Sequence, residues 1–543
     1  MQRPPGAELD RLPLTAKVIG EMVGSEKPYL GAQIYVSHRG AAVADSATGE
    51  AKQGVAMTPD TMVNWLCCSK VATAIAVAQL WEEGALDIDR PVREAIPEFA
   101  TGGKEEVTAR HLLTHTGGFV ADPLTARYFP RLMEWEEAVQ IACEVEIAPG
   151  ARPGRTTTYS VCTGFVVLGE LIRRITGSPP EEVIEEGVFR PLGMESSSFT
   201  LPPERLGDDV ADIYFTGLGF PVRVALLNDA DYVGYCSPGA SGRGPVSQLA
   251  RLGELLLGGG AVAGKRVVSP QTAAALSAVH RSDIADEKFG DRVNWGLGLM
   301  ADPWLFGLCC GPRTVGHKGF GASMLLVDPD EQLVIASFMN GIPKGRVGVE
   351  CHDRLVAALY EDLGLVDPGT LRSIDEARAE GKSMRPRDRF FQPMGTVNPT
   401  VAAWRNLIGD RNDEELVQLL DEHGGIERVL DSWFDAVATA MSRDARTEAT
   451  VAYLLENVDG QRLTYVFQVS KGAVRWTRAL EGIEPACEVE LTSLDFVRMF
   501  AEVAPAHDMF LAGRIRVSGD WSALLELPNV GETLELPPPV TPG

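Results

Sequence analysis

The 543-residue chain contains no run of 18 or more uninterrupted apolar residues, so no segment reads as a membrane-spanning helix. It has no surplus of positive charge either. Its 50 lysines and arginines stand against 75 aspartates and glutamates, giving a net charge of −25. Such a surface repels phosphate backbones and anionic headgroups, so no nucleic-acid partner is expected. Cysteine is present but not as a framework. There are nine, an odd count, with two vicinal pairs, Cys67-Cys68 and Cys309-Cys310, and no C-x2-C zinc spacing. Residues Met1 to Glu8 have no apolar core and no small-residue cleavage pattern, so no secretory leader is read there. These absences together predict a reducing, cytoplasmic setting and call for no metal and no cofactor.

What is present is ordinary for a globular protein, with 45% hydrophobic and 23% charged residues and enough length for more than one domain. Gly31 to Val36 reads as a strand, with His38-Arg39-Gly40 turning into the next run. Apolar helices are predicted over Gly164–Ile175, ending at Gly177, and over Ser247–Leu257, ending at Gly258. Ser323–Val327 and Gln332–Phe338, joined by Asp328-Pro329-Asp330-Glu331, read as a hairpin, and a helix follows over 346–363. Cys309 and Cys310 read as strand residues. Strands at both ends of a 360-residue unit, with helices between, predict one α/β domain with a helical insertion. Residues 366–428 read as a linker with a helical lead-in. A second pattern begins near 429, with short strands at Leu463–Val469, Ala473–Trp476 and Cys487–Leu491.

The most informative segment is Cys67-Cys68-Ser69-Lys70, which leads into the apolar run Val71 to Leu80. Cys67 and Lys70, spaced i, i+3, share a helix face. A thiol at a helix N-terminus sits where an anion is favoured, and an ammonium one turn on favours the thiolate further. That combination makes an activated nucleophile. Cys68 and Ser69 point elsewhere and read as packing residues, while His111 and His115 read as loop-holding. Three more motifs follow in order: His111 to Phe119, Tyr159-Ser160-Val161, and Gly316-His317-Lys318-Gly319-Phe320-Gly321 ahead of the hairpin.

With Pro191-Leu192-Gly193-Met194 and Asn340, these motifs resemble the serine β-lactamase-like and penicillin-binding-protein-like family, in its branch of class C enzymes, esterases and transacylases. The resemblance spans about 28–363. It implies a β-lactamase/transpeptidase-like antiparallel sheet flanked by helices, with the catalytic domain at 1–365. Cys67 stands in place of the family's nucleophilic serine. The resemblance implies that Cys67 accepts an acyl group and that Lys70 and Tyr159 handle its proton. It further implies that His317 lines the site and assists the tyrosine, and that the backbone N–H groups of Cys67 and Phe320 form an oxyanion hole. Such a donor is worth roughly 3–4 kcal/mol. Val161, Lys318 and Gly319 would contact substrate. Val161 replaces the family's asparagine, which removes a contact used in β-lactam recognition. A cysteine gives a thioester intermediate that reacts readily with amines, so transfer is as natural as hydrolysis.

Residues 429–543 resemble the sterol-carrier-protein-2 family through Leu463–Val469, Gly472–Thr477, Glu488–Thr492 and Phe510–Asp520. This implies a small α/β module, either with room for an apolar ligand or closed and structural. The expectation is an acyltransferase or hydrolase working on a small acyl donor and acceptor, with or without an apolar tail. The alternative is an inactive copy of the fold that binds lipid or a small molecule. The oligomeric state stays open.

Overall fold

Gly31–His38 (β1) is buried on both faces for nearly its whole length, as a central strand must be. It pairs antiparallel with Ala41–Lys52 (β2), which leads to Val55–Ala56 (β3). From the far end of the unit come Val315–Gly319 (β4), Ser323–Asp328 (β5) and Leu333–Met339 (β6). The six form one sheet in the order β4-β5-β6-β1-β2-β3, antiparallel throughout. The computed structural model describes residues 9–24, 27–119, 133–157, 159–160, 162–216, 221–282, 284–286, 291–320, 322–343, 347–379, 399–409, 411–442, 449–470, 473–479, 482–501, 503, 509, 514–519 and 536–537. Val161, Gly321, Gly472 and, of the Phe510–Asp520 stretch, residues 510–513 and 520 lie outside them.

The helices that position the site are Pro13–Met22 (α1), Ser69–Glu82 (α2), Thr163–Thr176 (α3), Val246–Leu257 (α4), Val347–Asp362 (α5) and Thr370–Ala379 (α6). Strand alternation splits the sheet's side chains between two layers. Ile34, Val36, Met324, Leu326 and Ile335 share a core with Val18 and Ile19 of α1 and Leu355 and Leu359 of α5. Leu325, Val327 and Val334 face α4. A Cβ at Gly253 would lie 2.8 Å from Val334 and 2.9 Å from Val327, so the glycine lets this helix seat against the sheet. The fold class predicted from the sequence is the one observed. Cys309 and Cys310, however, lie in a turn, not a strand. Gly311-Pro312 follows them, and the Gly311 N–H goes to the Asp328 carboxylate at 2.8 Å rather than to a strand ladder.

The chain divides into two compact units, Met1–Phe391 and Gln392–Gly543. The stretch 366–428 is shared between them. Leu371 and Ile374 of α6 are buried in the same core as α5, whereas Pro399–Ile408 (α7) and Asp413–Glu422 (α8) contribute Val401, Trp404, Leu416 and Leu420 to the second core.

In that second unit, Ile426–Ser442 (α9) packs beside a five-stranded sheet of Ala449–Glu456 (β7), Arg462–Ser470 (β8), Ala473–Thr477 (β9), Cys487–Thr492 (β10) and Arg516–Gly519 (β11), in the order β9-β8-β7-β10-β11. Only β7 and β10 run parallel. Ser493–Phe500 (α10) follows β10. Phe434 of α9 is stacked between Tyr465, at 4.0 Å between ring centroids, and Phe496, at 4.7 Å. Among the described residues no helix is long and apolar enough to cross a membrane.

Candidate active site

The α-helix proper starts at Ser69, and Cys67 sits in the tight 3₁₀ turn Leu66–Cys68 just before it. The turn is pinned from several sides. Asn64 Oδ1 accepts the Leu66 N–H at 2.8 Å, Trp65 N–H reaches the Gly242 carbonyl at 2.8 Å, and Ser69 Oγ accepts the Gly242 N–H at 2.9 Å while donating to Leu66 O. Trp65 is fully buried, with its indole N–H on Gly244 O. Leu66 is held at φ +49°, a left-handed conformation that non-glycine residues avoid. The surroundings thus impose a backbone shape directly ahead of Cys67. Cys68 is buried and its thiol donates to the His317 carbonyl at 3.2 Å, so it ties this turn to β4 as a packing residue.

Cys67 itself is half-buried, and its side chain is hydrogen-bonded to Tyr159. The phenol's pKa is pushed well above 10, first by burial and then by the Cys67 sulfur, so Tyr159 stays protonated. Lys70 is fully buried. Its ammonium donates to Gly239 O at 2.8 Å and lies 5.5 Å from the Tyr159 ring centroid and 4.9 Å from that of Phe165 on α3. His115 packs on Tyr159, tilted by 35° with centroids 4.5 Å apart, and its Nδ1 accepts the Ser160 N–H at 3.2 Å. Trp295 backs His115 at 4.5 Å. His111 closes a capping box with Thr108 at the start of the short helix Ala109–Leu113. Both histidines therefore hold local structure, as read from the sequence, and His115 also presses on the tyrosine.

From β4, His317 points to the same side as Lys70, 6.4 Å from Tyr159 between centroids. Its Nδ1 bonds the Lys318 carbonyl at 2.9 Å, which places the proton on Nδ1. Burial and then the Lys70 charge bring its pKa down to about 3, so the imidazole is neutral. A Cβ on Gly319 would fall 2.3 Å from Ser323 Oγ and 2.7 Å from Leu66 Cβ, so only glycine lets β4 lie against the Cys67 turn. Phe320 follows at φ +30° with 52% exposure. The Lys318 side chain is not part of this group. Alternation turns it to the opposite face, where its charge acts on His352 of α5 and on Cys310. The site thus unites Cys67, Lys70, Tyr159, His317 and Gly319, with Phe320 at its edge.

Residues 16–359 match the family described as Beta-lactamase. The chain belongs to the Beta-lactamase family. Residues 430–531 match the SCP-2 sterol transfer family. Penicillin-binding protein 4 of Amycolatopsis lactamdurans is 30% identical over 302 residues, which is 53% of this chain and 74% of that protein. The crystal structure of a penicillin-binding-protein homologue from Caulobacter crescentus superposes with a TM-score of 0.55 at 25% identity, covering 65% of this chain and 98% of that one. A family VIII carboxylesterase, at 24% identity and TM-score 0.56 over 65% of this chain and 97% of its own, shares the fold.

Several residues of this Beta-lactamase-family site carry no sequence signal. Trp295 reaches His115 and His317 from a stretch without regular secondary structure. Tyr232 is buried and feels both Cys67 and Cys162. Arg243 packs over the Tyr232 ring, with its guanidinium carbon 5.4 Å from the centroid. Only their meeting in space marks them. Among the described residues no group of three or more His, Cys, Asp or Glu is arranged to hold a metal.

Proposed function

We propose that the first unit transfers or hydrolyses acyl groups through a thioester on Cys67. The family and fold are those of hydrolases and acyltransferases. The observation that carries the cysteine version is the Cys67–Tyr159 hydrogen bond, with the Lys70 ammonium beside the same ring. In the proposed cycle the Cys67 thiolate, facing that ammonium, attacks the carbonyl carbon of an ester, thioester or amide. The S–C bond forms and the carbonyl electrons move onto oxygen, stabilised by the Cys67 and Phe320 backbone N–H groups. As the bond to the leaving group breaks, Tyr159 donates its proton to that group and is reprotonated from Lys70. An incoming amine, alcohol or water then attacks the thioester, gives its proton back by the same route and releases the cysteine.

Transfer is favoured over hydrolysis because a thioester reacts readily with amines. Tyr159 enters as a proton donor, which its elevated pKa supports. His317, neutral and buried, offers shape and an acceptor rather than charge. The second unit would bind an apolar ligand; its family match supports this, while the Phe434 ring stack fills part of the interior. A thiol-reactive probe at neutral pH tests the reading. One fast-reacting cysteine, mapped to Cys67, is expected. Uniformly slow thiols would favour a non-catalytic binding protein instead.

A further inference from the structure

The rings around the proposed proton donor come from separate stretches of chain. His115 follows the short helix Ala109–Leu113, Tyr159 precedes α3, and Trp295 lies more than a hundred residues further on. Trp295 is fully buried and meets the others, with its ring centroid 4.5 Å from that of His115, 5.7 Å from Tyr159 and 5.8 Å from His317. Packed against this cluster is a buried cation that the cycle above does not use. Arg281 is 2% exposed. Its Nη2 donates to the Asp286 carboxylate at 2.7 Å, and its Nη1 to the carbonyl of Thr114, the residue before His115, at 3.1 Å. Its guanidinium carbon lies 5.6 Å from the Trp295 ring centroid. The backbones of Arg281 and Trp295 also exchange hydrogen bonds in both directions, at 3.1 and 3.0 Å. Asp286, in turn, is bridged through its backbone to Thr157, two residues before Tyr159.

One guanidinium thus ties together the segments that carry His115, Trp295 and Tyr159. Net stability is a poor account of it. Desolvation offsets the attraction in a buried ion pair, and the Arg281 Nε has no acceptor among the described residues. What a buried arginine adds is fixed geometry, because its planar fork holds two acceptors at set directions. We propose that Arg281 is a positioning residue for the Tyr159 phenol. It holds the His115–Trp295–Tyr159 cluster so that the phenol proton reaches the leaving-group atom as the bond to that group breaks. Arg281 acts through these rings and not on the reacting atoms. The effect is large because a misplacement of about 1 Å costs on the order of 10²-fold in rate.

The proposal rests on the acyl-transfer reading and is tested by leaving-group dependence. The full-length protein would be acylated with p-nitrophenyl butyrate and with ethyl butyrate, which deliver the same acyl group. Nitrophenolate departs without a proton, whereas ethoxide needs one from Tyr159. Rates would be read by rapid quench and intact mass. Arg281→Met should slow acylation by the ethyl ester roughly tenfold or more beyond any loss with the nitrophenyl ester. Arg281→Lys keeps a charge for Asp286 but not the two-pronged fork, so it should shift the same ratio by a smaller factor, roughly threefold. A merely structural arginine would lower both rates together or only the thermal midpoint, so an unchanged ratio in folded Arg281→Met overturns the proposal. If Arg281→Met does not fold, an unchanged ratio in Arg281→Lys overturns it. A native protein that neither ester acylates would end the acyl-transfer reading and this proposal with it. An acylated native protein whose variants keep its ester preference ends the proposal alone.

Discussion

The choice of sulfur over oxygen at position 67 decides what the neighbouring groups must do. A serine needs a base to become nucleophilic, whereas a thiol needs only an environment that tolerates its anion. Lys70 and Tyr159 are then required mainly to move a proton to the leaving group. Lys70→Ala and Tyr159→Phe should each slow acylation by something like 10²–10⁴-fold in stopped-flow assays with an unactivated alkyl ester, whose leaving group needs that proton. Because the two side chains act as one unit, the double variant should be little slower than either single one. Losses that multiply would reduce Tyr159 to a packing residue.

His317 makes a separate prediction about stability. Its folded pKa lies near 3, below the ordinary 6.5, so the unfolded chain takes up a proton that the folded protein refuses. The stability linked to this group is fully present above about pH 6.5 and is lost as pH falls from there towards 3. Urea midpoints of the native protein and His317→Gln should therefore converge between pH 7.5 and pH 5. A constant gap would mean that the buried imidazole is not the group refusing the proton.

Among the elements, β4 and the turn at Leu66–Cys68 form the contact on which the site's geometry rests. Gly319→Ala places a methyl against Ser323 Oγ and Leu66 Cβ, so β4 must back away from the turn. Acylation by a small activated ester should fall at least tenfold, with a thermal midpoint only modestly lowered; unchanged acylation would show that this closeness is incidental. These elements were legible in advance where pattern and punctuation agree. The β5–β6 hairpin has its Asp-Pro-Asp turn, and α3 ends at Gly177, which takes up φ +76°. Others were not. The helix α1 shows only Val18, Ile19 and Met22 as a buried stripe, and β7, with Ala449, Ala452, Leu454 and Leu455, is a strand because β8 and β10 pair with it from both sides. At the site, the motif residues announced themselves, but the direction of Lys318 followed from alternation in β4, and Arg243, Tyr232 and Trp295 are assembled by packing that no local run encodes.

For the whole molecule, the division at Phe391 sets where the units can be separated. A chain ending at Phe391 keeps α6, whose Leu371 and Ile374 are buried against the first core; a cut near 366 would strip them. The shortened protein should react with short acyl donors as the full chain does. If the second unit holds an apolar tail, long-chain donors should lose selectively. At about 0.8 kcal/mol per buried methylene, three lost contacts amount to well over tenfold. Equal loss on both would make the second unit structural. The central claim, a thioester on Cys67, is tested most directly by the intact mass of the full-length protein after brief incubation with a panel of acyl thioesters and activated esters. The native protein should gain the mass of one acyl group, mapped to Cys67 and released by hydroxylamine, and Cys67→Ala should gain nothing. An acyl adduct of the same stoichiometry in Cys67→Ala, or one mapped to another residue of the native chain, would contradict it.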